Sequence, residues 1–267
     1  MTGKTFAIHS YKGGTGKTTL IANLAAFYAM SGFRVGLIDA DVCAPSLATY
    51  FRKKPRAYLN DLLSGNAEIS DVVVDVSSEL ELKGLLLLGF SSSMKDDVNE
   101  IEVKHDAKWQ LAAFRRFLLA KSQLFEKYRL DYLFFDTSPG IRYWSVNTLA
   151  ASDILLLLMK DSDMDIEGTR RMINDIYDSL SRFGSKYYVV LNKVPGASSV
   201  SEFSNIAYEK AWVSELERVV GAQVVGSIPC YCDIQFSRHE FLFSVKQPEH
   251  PFSKKIALLA ERAKTLG

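Results

Sequence analysis

The run Tyr11–Lys12–Gly13–Gly14–Thr15–Gly16–Lys17–Thr18 constrains what this chain can fold into more than any other stretch. An apolar strand pattern, Thr5–His9, leads into it. Helical spacing follows over Lys17–Ser31, with Leu20, Leu24, Phe27 and Tyr28 on one face and Gly32 as a stop. Strand, glycine-rich turn and helix together are the setting of a phosphate-binding loop. Backbone N–H groups around Gly13, Gly14 and Gly16 can point at phosphate oxygens only where side chains stay out of the way. The helix behind them presents its positive end to the same anion. In such a loop Lys17 reaches the β- and γ-phosphates and Thr18 offers a hydroxyl to Mg²⁺, while Thr15 and Thr19 complete the nucleotide-contacting set.

Further β-rich runs alternate with helical stretches. They fall at Arg34–Asp39, Leu85–Gly89, Leu130–Asp136, Asp153–Met159, Tyr187–Asn192 and Val224–Ile228. Several are apolar at consecutive positions, as strands covered on both faces are. This predicts an α/β fold: a doubly wound, mostly parallel sheet with helices on both faces. The region 45–83 carries short helix signals, 91–110 reads as a loop entering a helix over Ala107–Tyr128, and 195–206 reads as another loop. Nothing resembles a linker, so residues 1–267 are expected to form one domain. A net charge of +1 announces no strongly charged partner. Cys43, Cys230 and Cys232 make no disulfide framework in a chain of 267 residues, which suits a reducing, cytoplasmic setting. The first residues lack a signal-peptide pattern, and the longest apolar run, Ile154–Met159, is too short to span a bilayer.

One position departs from the ordinary G-x-x-x-x-G-K-[ST] loop: Tyr11 stands where the first glycine belongs, and Lys12 adds a second lysine. These residues resemble the deviant Walker A motif, K-G-G-x-G-K-[ST], of the ParA/MinD family of P-loop ATPases. The resemblance implies an ATP-dependent homodimer in which Lys12 reaches the partner's phosphates, with an effect like an arginine finger. Val35–Asp41 followed by Pro45–Ser46 is similar to the family's switch I, where Asp41 would orient the attacking water and Asp39 would stand near the magnesium. Leu133–Gly140 is similar to Walker B running into switch II, with Asp136 holding Mg²⁺. There the chain reads Asp-Thr-Ser-Pro-Gly, a departure from the usual D-x-P-x-G. Asn192–Lys193 resembles the base-recognising asparagine segment, and Ile228–Pro229 the segment that packs on the base. The likeness runs from residue 4 to about 233.

Related trades are excluded by residues. The nitrogenase iron protein needs cysteines flanking switch II, and residues 44–229 contain none. No methionine-rich insertion, terminal tyrosine cluster or helix-turn-helix before the loop is seen. The expectation is therefore an ATPase switch that hydrolyses ATP to partition or position DNA or cargo, with an activating partner at switch II. Two alternatives stay open. One is a metal-cofactor maturation chaperone using Cys230 and Cys232, whose C-x-C could supply four thiolates across a dimer. The other is a nucleotide-dependent binding module with negligible turnover. The basic run Arg52–Lys53–Lys54–Arg56 leaves non-specific DNA open as a surface, though runs this short mostly face solvent. The last helix, Pro251–Leu266, is basic and amphipathic, and is read as docking on the sheet rather than lying on a membrane. Arg142–Tyr143–Trp144 could report nucleotide state to a partner, or Trp144 could be core.

Overall fold

Burial on both faces explains the consecutive apolar positions of the strands. In the computed structural model, which describes residues 3–94, 97, 101, 106–195, 206–237 and 242–267, every side chain of β6 (Ile154–Met159) is buried. Leu155, Leu157 and Met159 enter one core, and Ile154, Leu156 and Leu158 the other. β1 (Lys4–His9) and β5 (Tyr132–Thr137) divide in the same way, with Ala7, Leu133 and Phe135 against Phe6, Ile8 and Phe134. β2 (Arg34–Ala40), β3 (Val73–Asp75), β4 (Leu85–Gly89), β7 (Lys186–Val194) and β8 (Val224–Pro229) complete the sheet among the described residues. Its order is β3-β4-β2-β5-β1-β6-β7-β8. Neighbours run parallel except β3 and β4. The mostly parallel α/β fold expected from the sequence is present. The antiparallel edge β3 was not expected: it is three residues long, too short to show a period.

One core is roofed by α3 (Leu59–Ser64), α4 (Ile69–Val72), α5 (Ala107–Tyr128), α6 (Tyr143–Ala150), α7 (Asp163–Met172) and α9 (Ile206–Val220). A π-helical turn, Ile173–Tyr177, leads from α7 into the short α8 (Asp178–Ser181). The other core is covered by α1 (Lys17–Met30), α2 (Leu47–Phe51), α11 (Phe243–Lys246) and α12 (Pro251–Lys264), with the single turn α10 (Cys232–Gln235) nearby. Of the loops expected at 91–110 and 195–206, residues 95–96, 98–100, 102–105 and 196–205 lie outside the described residues.

α1 corrects a sequence expectation. Leu20, Leu24 and Tyr28 are buried, but Phe27 is only partly so, and Ile21, Ala22, Asn23, Ala25, Ala26 and Ala29 are buried as well. The helix is enclosed rather than one-faced, because α11 and α12 cover its outer side. The Tyr28 hydroxyl donates to the Ala260 carbonyl at 2.8 Å, and the Ser244 N–H donates to Asn23 Oδ1 at 2.9 Å. Docking of the last helix on the domain is seen: Phe252, Ile256, Leu259, Ala260 and Ala263 are buried. Each of the larger ones contributes roughly 1.5–3 kcal/mol of apolar burial. Among the described residues no helix is long and apolar enough to cross a membrane.

β1 lies between β5 and β6 at the middle of the sheet. The chain leaves its carboxyl end for α1 and returns as β2 on the β5 side. The crevice outside such strand ends is where open α/β sheets hold ligands.

Candidate functional site

The loop between β1 and α1 is tied down from behind and open in front. Ser10 Oγ donates to the Lys12 carbonyl at 2.6 Å, and Lys17 Nζ donates to Ser10 Oγ at 3.2 Å. Asn192 Nδ2 donates to the Thr15 carbonyl at 2.7 Å, and Lys193 Nζ to the Gly14 carbonyl at 3.1 Å. Gly16 caps α1 with φ 94°, and a Cβ there would stand 2.6 Å from Asn192 Nδ2. Only glycine fits both demands. At Gly14, also left-handed with φ 73°, a Cβ would meet nothing within 4 Å. No side chain caps α1, so its first N–H groups stay free for an anion. Lys12 is partly exposed, and its ammonium has no partner among the described residues.

Register builds the other wall. β2 and β5 run side by side with Asp39 opposite Asp136 and Ala40 opposite Thr137. Thr18 Oγ1 donates to Asp136 Oδ2 at 2.5 Å and lies 3.0 Å from Ser46 Oγ. Asp136 Oδ1 is buried and accepts no hydrogen bond among the described residues. Asp39 takes backbone N–H groups on both oxygens: Asp41 at 3.1 Å on Oδ1, and Ser46 at 3.0 Å and Leu47 at 2.9 Å on Oδ2. It holds the turn into α2 in place. Asp41 Oδ1 accepts from the Cys43 and Ala44 N–H groups at 3.2 and 2.9 Å and from the Ser138 hydroxyl.

Charge is crowded here. Burial, and then Asp136, push the Asp39 carboxyl well above its usual range. Burial raises Asp136 to about 6, against the pull of the Thr18 hydrogen bond and Lys17. Burial also lowers Lys17, which Asp136 and Asp41 partly restore. His9, buried beside Lys17, is pushed down to about 3, chiefly by burial. Lys17 faces Asp136 and Asp41, with Asp39 beside them, and the hard oxygens of Thr18, Ser46 and Asp136 converge with one carboxylate oxygen unsatisfied. That donor set fits a magnesium ion, which favours carboxylate and hydroxyl oxygen and would offset the surplus negative charge.

The cleft continues past Gly16 and Thr19 toward β7 and β8, where Asn192, Pro229, Tyr231 and Phe252 line it. Asn192 is buried, and one of its amide hydrogens is already used on Thr15. Its carbonyl oxygen and second hydrogen remain for a base edge. Cys230 and Cys232 are both exposed. The aromatic pair after switch II separates: Trp144 is fully buried, its ring 5.4 Å from that of Phe117, whereas Tyr143 and Ile141 are exposed. Trp144 is core, so the signalling role considered for it is withdrawn. Of the basic run, Lys53 pairs with Glu79 while Arg52, Lys54 and Arg56 face solvent.

Four residues to which the sequence had given no role make contacts in the site. Ser10 braces Lys17 and Ser46 joins Thr18; His9 Nδ1 lies 2.7 Å from Thr137 Oγ1, and Ser138 bonds Asp41. Ser46 stood in the segment similar to switch I and Ser138 where the family pattern has proline, whereas His9 and Ser10 carried no visible signal.

A family model described as an AAA domain matches residues 3–186. The chromosome partitioning protein ParA of Caulobacter vibrioides is 29% identical over 176 residues, 65% of this chain and 62% of that protein. The chain thus spans less than two thirds of that relative's length. The cytosolic Fe-S cluster assembly factor NUBP2 of Gallus gallus is 26% identical over 227 residues, 82% of this chain and 76% of its own. Among solved structures, the cell division ATPase MinD of Pyrococcus furiosus superposes with a TM-score of 0.75 at 20% identity, covering 99% of this chain and 100% of that one.

Proposed function

The chain belongs to the AAA-domain family matched over residues 3–186, within the ParA/MinD class of deviant Walker A P-loop ATPases, and from that premise we propose that it is an ATP-driven switch. The observation that carries the reading is the meeting of Thr18, Ser46 and Asp136, with one carboxylate oxygen unsatisfied, in front of the buried Lys17. ATP lies along the cleft, its base against Pro229 and Asn192 and its phosphates over Gly13, Gly14, Thr15, Gly16 and Thr19. Thr18, Ser46 and Asp136 would hold Mg²⁺, which supplies positive charge against the phosphates. In hydrolysis the water oxygen bonds to the γ-phosphorus. The bond from that phosphorus to the β–γ bridging oxygen breaks, and ADP departs with that oxygen. Asp41 accepts a hydrogen bond from the water and orients it.

Lys12, partly exposed and unpartnered among the described residues, supports closure of a second copy over the γ-phosphate. There the partner copy's lysine would stabilise the charge of the transition state. Ile141 and Tyr143, exposed just beyond Gly140, suit an activating partner that reads switch II. The output is reversible positioning of DNA or other cargo. Phosphate release by Lys12→Ala and Asp41→Ala tests the roles. Each variant is expected to lose about 10²–10³-fold in kcat. Wild-type turnover in both folded proteins would refute the assignment.

A second reading, metal-cofactor maturation, is favoured by the two exposed thiols of Cys230 and Cys232 and by the similarity to NUBP2. It requires stoichiometric Zn²⁺ or Ni²⁺ that disappears on Cys232→Ser. Binding no metal, or binding it equally in both proteins, would exclude it.

A further inference from the structure

Register places Asp41 and Ser138 side by side, one step past the paired ends of β2 and β5. The pairs before them are Asp39 with Asp136 and Ala40 with Thr137. Ser138 is only 1% exposed, and its hydroxyl donates to Asp41 Oδ1. That oxygen also takes the Cys43 and Ala44 N–H groups, so its acceptor capacity is filled. Among the described residues no hydrogen bond reaches Oδ2, and Asp41 lines the phosphate cleft.

The donor is itself held on both sides. Thr137 Oγ1 donates to the Ile8 carbonyl at 2.6 Å, and the Gly140 N–H donates to the Ser10 carbonyl at 2.9 Å. Ser145 Oγ donates to the Ser138 carbonyl at 3.2 Å. Pro139 has no N–H to offer in its place. A hydroxyl on a fixed backbone therefore aims a carboxylate that otherwise rests only on its own turn. A proline at position 138 would carry no such donor.

We infer that Ser138 is the positioning residue for Asp41: it saturates Oδ1, fixes the carboxylate plane across the switch I–switch II boundary, and leaves Oδ2 as the edge that receives the attacking water. This rests on the reading of Asp41 as the water-orienting carboxylate. Ser138 acts through Asp41, which lines the cleft, and is not itself among the cleft's lining residues. A charge-assisted hydrogen bond of this kind, lost from an orienting group, is worth about tenfold in rate.

The test compares Ser138→Val with Ser138→Thr, two side chains of similar shape of which only threonine keeps the hydroxyl, in the full chain with ATP and Mg²⁺. Ser138→Val should lower kcat about tenfold, with KM within about twofold of wild type. Ser138→Thr should recover most of the rate. In single-turnover measurements, adding Ser138→Val to Asp41→Ala should cost nothing further, because the hydroxyl has no carboxylate left to aim. Ser138→Ala, which adds no volume, is read by the same criteria, with a thermal melt to establish folding. Wild-type kcat in Ser138→Val and Ser138→Ala overturns the inference. So does equal slowing by valine and threonine, or a further tenfold loss in the Asp41→Ala background. Wild-type turnover of Asp41→Ala alone refutes the Asp41 reading, and the inference with it, in an arm that leaves Ser138 intact.

Discussion

At the end of the cleft proposed to take the phosphates, between the ends of β1, β2 and β5, Lys17, Asp39, Asp136 and Ser138 are buried, each with a polar partner from a neighbouring segment. At the base end, between β7 and β8, the buried Asn192 stands among Pro229, Tyr231 and Phe252. The first end gathers charges that burial disfavours, raising Asp39 and Asp136 and lowering Lys17. The second is shaped by packing and needs one amide in position. Recognition is therefore stronger at the first end than at the second. There Mg²⁺ would offset the clustered carboxylates that burial strains, while phosphates would pair with Lys17 and the first N–H groups of α1, so recognition at this end rests on charge. A base gains only contact area and one or two hydrogen bonds.

Substitutions should therefore separate the two ends by size of effect. Lys17→Ala removes the buried cation facing the phosphates, and phosphate release should fall about 10³-fold. Loss of less than tenfold would erase the contrast. Asp136→Asn should abolish the dependence of ATP binding on Mg²⁺ and raise the stability of the nucleotide-free protein at neutral pH by about 1–3 kcal/mol. A calorimetric melt with and without Mg²⁺ checks both, and a lowered Tm without nucleotide would contradict the claim that this end is strained. Asn192→Ala, at the other end, should weaken ATP about tenfold and shrink the preference for ATP over GTP, leaving kcat nearly unchanged. Titration with both nucleotides reads this, and an unchanged preference would remove Asn192 from base recognition.

The smallest effect belongs to His9. Its folded value, about 3, lies below the ordinary 6.5, so on acidification the unfolded chain takes up a proton that the folded one refuses. Stability is thus present above 6.5 and lost as pH falls toward 3. Between pH 7.5 and 6 the wild type should lose about 0.8 kcal/mol to this residue. His9→Gln should lose that much less over the same interval in denaturant melts. Equal losses in the two proteins would show that His9 is not held neutral.

The phosphate loop was legible because its glycines and Lys17 follow an apolar strand and open a helix. Asp39, Asp41, Asp136, Asn192 and Pro229 were named through the resemblance of their segments to the ParA/MinD family, and the structure brings those segments to one side of the sheet. The contacts of Ser46, Ser138 and His9 were not legible, because such polar side chains acquire their partners only when the sheet closes. Ser138 meets Asp41 across 97 positions of sequence. Trp144 was ambiguous, since an aromatic pair beside a switch does not reveal which ring turns inward. α1 hid its all-round burial because alanines fill the faces that α11 and α12 cover.

In the proposed switch, nucleotide closes two copies of this chain through Lys12. Sedimentation of the Asp41→Ala protein with ATP and Mg²⁺ decides whether they close. A dimer is expected that dissolves with ADP and does not form when Lys12→Ala is added. A monomer at saturating ATP, or a dimer indifferent to nucleotide and to Lys12, would contradict it.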